Sequence, residues 1–180
     1  MYSELKFETE YRENVYNLFS LEDSFFCFGH LEFRGLKRRD DYKQKREELF
    51  YRVLTLTCKS FSISTSKVCV VLKHEITNRY NIKKANGHIH FLISDYKLKD
   101  LDKDKFIKKF KTLWKENVGD CVIERFDYER KEQGLNYTAK VKKNGEKVHD
   151  GIKISRAMKR RFKWLTRHSV NGPRLPSNSF

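Results

Sequence analysis

The sequence predicts an α+β domain with a central antiparallel sheet flanked by helices, and three observations carry that prediction. Short runs rich in β-branched or aromatic residues, each of strand length, occur at 25–33, 67–76, 88–94 and 120–129. Segments with helical periodicity separate them. The clearest is 102–118, where Phe106, Phe110, Leu113, Trp114 and Val118 recur on one side of a Lys-rich stretch. Finally, Asn86-Gly87 closes a polar stretch between two of the strand-like runs, a strong hairpin signal that makes those runs antiparallel neighbours. The order helix, strand, helix, hairpin, helix, strand, helix belongs to the α+β class.

Taken in order, residues 3–19 place Leu5, Tyr11, Val15, Leu18 and Phe19 at helical spacing between charges. FFCFGHLEF (25–33) reads as the first strand. In RRDDYKQKREELFYRVLTLTCKSF, Leu49, Phe50, Val53, Leu54, Thr57 and Phe61 form one helical stripe. VLTLT within it has strand-like alternation, so the segment is expected to be helical through at least residue 54. KVCVVLKHEI (67–76) and HIHFLIS (88–94) are the arms of the hairpin. DCVIERFDYE (120–129) is the fourth strand, 134–143 a short helix, and SRAMKRRFKWLTRH (155–168) a basic helix before a loose tail. Boundaries of 1–155 for the main domain and 156–180 for a basic helix and tail follow.

Composition narrows the function. The chain has 180 residues, 38% hydrophobic and 14% aromatic, which supports one packed domain and excludes a disordered chain. The net charge of +15 makes a polyanion, and nucleic acid first of all, the expected partner. No run reaches the roughly 18 apolar residues that span a bilayer. The acidic, unhydrophobic start reads as neither signal nor transit peptide, so the expectation is a cytoplasmic protein without a membrane partner. Cys27, Cys58, Cys69 and Cys121 form no CxxC pair and are expected to be reduced, mostly buried thiols.

Two constellations carry chemistry. In a strand alternate side chains share a face, so His88 and His90 of GHIHF point the same way and can grip one divalent cation. A third ligand is expected from the preceding strand. Glu75 is favoured over His74, because a carboxylate oxygen suits Mg²⁺ or Mn²⁺. The set would leave open coordination positions for a substrate. The second constellation is Tyr137-Thr138-Ala139-Lys140. At i and i+3 on a helix the Lys140 ammonium can sit beside the Tyr137 hydroxyl, lowering the cost of forming phenolate.

HIHFLI followed by a helical YxxK in a basic α+β domain resembles the HUH endonuclease superfamily. Within it the chain is most similar to the Rep-type initiators of rolling-circle replication. FCFGHLEFRG stands where the first-strand motif belongs, GHIHFLIS matches the HUH motif, and ERFDYERKEQGLNYTAKVKK matches the strand and helix that bear the nucleophile. The resemblance covers roughly 25–155 and implies the family's sheet with an RRM-like core. It implies a Mg²⁺- or Mn²⁺-dependent nick in single-stranded DNA or an origin hairpin. Tyr137 would form a covalent 5′-phosphotyrosine and Lys140 would steady the phosphate or phenolate, with His88, His90 and Glu75 holding the ion. Val141 one turn after Tyr137 places the chain in the single-tyrosine class. The source would be a bacterial or archaeal plasmid or virus. No Walker A pattern is present, so helicase and polymerase would be supplied in trans by the host.

Arg34, Lys37, Arg38, Arg39, Lys143, Arg156, Lys159, Arg160 and Arg161 are the expected phosphate contacts, together with the Lys face of 103–115. Tyr80, Phe162 and Trp164 are the expected base-stacking residues. Two other readings stay open: an HUH tyrosine transposase, and a non-catalytic module for single-stranded nucleic acid. A relaxase ranks lower because the sequence presents no three-histidine cluster.

Overall fold

The computed structural model describes residues 15–34, 42–76, 87–96, 98, 100–130, 135 and 152–168. Helical residues 15–20 (α1) lead into β1 (Phe25–Glu32), α2 (Tyr42–Ser60), β2 (Cys69–Ile76) and β3 (Gly87–Ser94). Then come α3 (Lys103–Asn117), β4 (Cys121–Arg125), β5 (Ile152–Ile154) and α4 (Arg156–His168). The five strands form one sheet in the order β4-β1-β3-β2-β5, and every neighbouring pair is antiparallel. The stretch from β1 to β4 is the split β-α-β arrangement: each crossover helix skips over the strand inserted between its two partners.

The sheet buries both faces, against different helices. Leu31, Val70, Leu72, Ile89, Phe91 and Ile93 point to one face and pack on α2 and α3. There Phe50 lies 5.7 Å from Phe91 and 5.8 Å from Phe110, and Phe33 meets Trp114 edge-on at 5.2 Å. Phe25, Cys69, Val71 and Leu92 point to the other face, under Leu18 and Phe19 of α1 and Met158 and Phe162 of α4.

Local chemistry explains the elements. VLTLT lies inside α2, because burying Phe50, Val53, Leu54 and Cys58 along one stripe outweighs the strand preference of its β-branched residues. Asp102 caps α3 by accepting a hydrogen bond from the Lys105 amide at 3.0 Å. Ser155 performs the same service for α4, accepting from the Met158 amide at 3.2 Å. Gly29 is required where it stands. A Cβ there would run into the Val122 carbonyl and the Ile123 Cα, so only glycine lets β4 close on β1.

Strand β5 has no counterpart in the sequence reading. It contains only Ile152, Lys153 and Ile154, too few for a periodic signal, and pairs with Val71–Lys73 of β2. The fourth strand is shorter than its expected span. It ends at Arg125, after which the Phe126 amide still bonds the Phe26 carbonyl at 2.9 Å. The basic C-terminal helix, read as an appendage, is packed on the sheet through Met158 and Phe162. All four cysteines are free thiols, and Cys27, Cys58 and Cys69 are buried. Among the described residues no helix is long and apolar enough to cross a membrane.

Candidate metal centre

Register brings the candidate residues together as two rungs across three strands. Glu32 of β1, His88 of β3 and Glu75 of β2 stand directly opposite one another. One step along, His30, His90 and Lys73 do the same. Residues opposed across an antiparallel ladder share a face with Cβ atoms about 4.5–5.5 Å apart. All six positions belong to the face that carries Leu92 and Val71, at the end of the sheet away from Phe25. Along the same face the α1 and α4 side chains pack on the other end.

His88 and His90 behave as the spacing predicts. Their Nε2 atoms are 2.9 Å apart, and the rings meet edge-on with centroids separated by 4.7 Å. Two nitrogens each about 2.1 Å from one ion at a right angle subtend about 3.0 Å, so this separation fits a pair of adjacent octahedral ligands. Ile89 between them is fully buried against α2 and α3 and holds the strand from behind.

The two candidates for the third ligand part company. His74 is paired with Ile89 and so points to the opposite face, where its ring bonds Glu47 of α2 at 3.0 Å. The Glu47 carboxylate also pairs with Lys153 of β5. His74 therefore ties β2 to α2 and is removed from the imidazole pair by the thickness of the sheet. Glu75 holds the position on β2 opposite His88.

Burial pushes the His74 pKa down to about 4, against the opposing pull of Glu47. The ordinary value is about 6.5. Between those two values the unfolded chain binds a proton that the folded one refuses. Stability is therefore expected to fall as pH drops from about 6.5 to about 4, by about 3 kcal/mol from this group. Denaturant unfolding across that range measures it, and His74→Gln should flatten the slope.

Sequence reasoning missed His30. Its ring lies 5.9 Å from that of His88 and 6.1 Å from that of His90, and its Nε2 is 3.8 Å from the Glu32 carboxylate. Three histidines thus stand on one face of the sheet. The signal lay in FGHLEF, but only the pairing of β1 with β3 turns a distant histidine into a neighbour. Lys73 was missed for the same reason. Among the described residues no three His, Cys, Asp or Glu side chains already converge as a complete ligand set.

Tyr137, Lys140 and Lys143 lie outside the described residues, as do Lys37, Arg38, Arg39 and Tyr80. Leu135, two residues before Tyr137, is described. It is fully buried in the cluster on the histidine-bearing face. Tyr128, the nearest other phenol in the sequence, is poorly suited to ionise. Partial burial raises its pKa, Glu22, Asp23 and Asp95 add to the rise, and a bond to the Phe25 backbone only partly opposes them.

The basic residues divide. Arg156, Lys159 and Arg160 are exposed on α4, and Arg34 is exposed after β1, 3.8 Å from Asp120. Arg161 is a correction. It is buried, its Nε donates to Glu22 at 2.9 Å and its guanidinium lies 3.9 Å from the centre of the Tyr96 ring. Its charge is spent inside the protein and not on phosphate. Phe162 is likewise interior, stacked on Phe19 at 5.9 Å, whereas Trp164 is exposed and stacks on His168 at 4.5 Å. The Lys face of α3 belongs to the opposite layer of the sheet from the histidines. Compared with protein-family models, with curated proteins and with solved structures, the chain matches none.

Proposed function

We propose that the protein is a metal-dependent, site-specific single-stranded DNA endonuclease that nicks and rejoins DNA through a phosphotyrosine, as an initiator of rolling-circle replication does. The observation that carries this reading is the adjacency of His88 and His90, with Nε2 atoms 2.9 Å apart, on the same sheet face as the buried Leu135.

His88 and His90, with Glu75 opposite, are the residues that would hold a Mg²⁺ or Mn²⁺ ion. When bound, such an ion neutralises charge on a non-bridging oxygen of the scissile phosphate. The Tyr137 oxygen attacks phosphorus and loses its proton. A Tyr–O–P bond forms, the bond from phosphorus to the 3′ oxygen breaks, and that oxygen departs as a hydroxyl. Lys140 balances the charge on the attacking oxygen. Reversal by an aligned 3′-hydroxyl rejoins the strand, because a positioned nucleophile outcompetes water. Arg34 and the exposed cations Arg156, Lys159 and Arg160 of α4 would contact the DNA backbone, and a steep loss of affinity with salt accompanies such contacts.

The test is incubation of the full chain with end-labelled single-stranded oligonucleotides drawn from its own replicon and Mn²⁺, followed by denaturing electrophoresis. A denaturant-resistant protein–DNA band is expected, and His88→Ala and His90→Ala should each remove it. DNA binding with no such band under any divalent ion would reduce the protein to a binding module.

A further inference from the structure

The layer behind the sheet carries a charged surface that the histidine-bearing face does not use. Helix α3 spends its apolar side on the sheet, where Phe106, Phe110 and Trp114 are buried, and turns its lysines away from it. The carboxylates near this helix are largely taken: Asp95 pairs with Lys103, Asp102 with Lys105 and Asp104 with Arg125. Lys108, Lys109 and Lys115 are exposed, Lys111 is half-buried, and none of the four has an ion pair among the described residues. Lys108, Lys111 and Lys115 stand at i, i+3 and i+7, so they form one file along about 10 Å of helix axis. Arg52 and Lys59 of α2, the other helix of this layer, are exposed and likewise without an ion pair among the described residues.

We propose that the outer face of α3 binds the phosphate backbone of double-stranded DNA, so that one molecule holds a duplex on its back layer and a single strand on its front. Charge complementarity selects a polyanion, and the file of lysines matches the rise of about three base pairs of duplex. Surfaces that hold unpaired strands interleave rings with cations, so that bases can stack. The exposed aromatic residues among those described, Tyr96, Tyr128 and Trp164, all lie away from α2 and α3. The surface therefore offers charge without stacking, which suits a duplex whose bases are already paired. A strand lying at His88 and His90 is cut off from these lysines by the sheet and by the width of a helix, about 10 Å. Lysine ammoniums are point charges that contact phosphate, so this binding is independent of sequence. Nothing in the proposal depends on a metal ion or on Tyr137.

The experiment is fluorescence anisotropy of the full chain with a blunt, mixed-sequence DNA duplex two helical turns long, across a series of NaCl concentrations without divalent ions. The triple variant Lys108→Gln, Lys109→Gln, Lys115→Gln should bind the duplex at least about tenfold more weakly at 0.1 M salt. Its plot of log affinity against log salt should be shallower by about 2.7, the share of three phosphate contacts. Its affinity for a single-stranded oligonucleotide should stay at the wild-type value. The matching triple change to arginine keeps the charge and should restore duplex binding. Wild type held on an immobilised duplex should also capture a labelled single strand, and the glutamine variant should not. Equal duplex affinity and slope in wild type and glutamine variant would overturn the proposal. Parallel loss of duplex and single-strand affinity would replace two surfaces by one continuous one, and tighter binding of an RNA duplex than of DNA would overturn the choice of partner. The covalent band is read separately, so the nicking reading and the duplex site can each fail alone.

Discussion

Tyr137→Phe is expected to abolish the covalent protein–DNA band while leaving affinity for single-stranded DNA within about twofold of the wild type. The change deletes one oxygen. Phenylalanine keeps the ring, so whatever packing the segment after Leu135 makes is retained, but no atom remains that can bond to phosphorus. A phenol is a weak nucleophile near neutrality because its pKa is about 10. Catalysis by this route therefore depends on both the cation at Lys140 and the ion on the imidazoles, and loss of the oxygen cannot be offset by either. Lys140→Ala is the graded companion: it should slow adduct formation without removing it. Quantitative gel analysis of adduct against time, with fluorescence anisotropy for binding, checks both. An undiminished band from Tyr137→Phe that vanishes in Tyr128→Phe would move the nucleophile to a phenol whose surroundings, burial and three nearby carboxylates, oppose its ionisation.

Arg161→Met is expected to cost about 3–5 kcal/mol of stability, because it strands a buried charge. The Glu22 carboxylate is fully buried and bonds Arg161 at 2.9 Å, while its other oxygen accepts from the Ser24 amide at 3.0 Å. Removal of the guanidinium leaves the carboxylate dry and unpaired, and also deletes the stacking on Tyr96. The double change Glu22→Gln with Arg161→Met should recover most of the loss, since glutamine still accepts from Ser24 and carries no charge to strand. Denaturant unfolding of the two single variants and the double closes the cycle. A single-variant cost below about 1 kcal/mol would mean that the pair behaves as an exposed bridge. If Arg161 served DNA directly, the double variant would be stable yet impaired in binding; the interior position of the side chain predicts stable and unimpaired.

The fold was legible where periodicity was strong. The stripe Phe106, Phe110 and Trp114 located α3 because a helix that buries three large rings has no other way to place them. The alternation through Ile89, Phe91 and Ile93 located β3 and, with it, the sheet face shared by His88 and the buried His90. The choice of Glu75 over His74 was made on ligand chemistry, and register assigns His74 to the opposite face for an independent reason, the alternation of side chains along β2. What the letters did not disclose is lateral. Nothing in FGHLEF says that its strand lies against HIHFL with the two histidines abreast, nor that three residues near position 153 extend the sheet. Arg161 was misjudged because a Lys- and Arg-rich helix looks uniformly wet, whereas its partner Glu22 is far away in sequence.

The alignment of Glu32, His88 and Glu75 across three strands has a consequence for how this chain tolerates change in length. Insertion of a single residue in β3 between His90 and the buried Phe91–Ile93 would turn both imidazoles toward the greasy layer beneath α2 and bring Ile89 out in their place, since adjacent side chains on a strand face opposite ways. Extra residues in the connector between β2 and β3 disturb no such parity. Natural variation in size should accordingly collect in that connector, and the strands themselves should admit substitution but not indels.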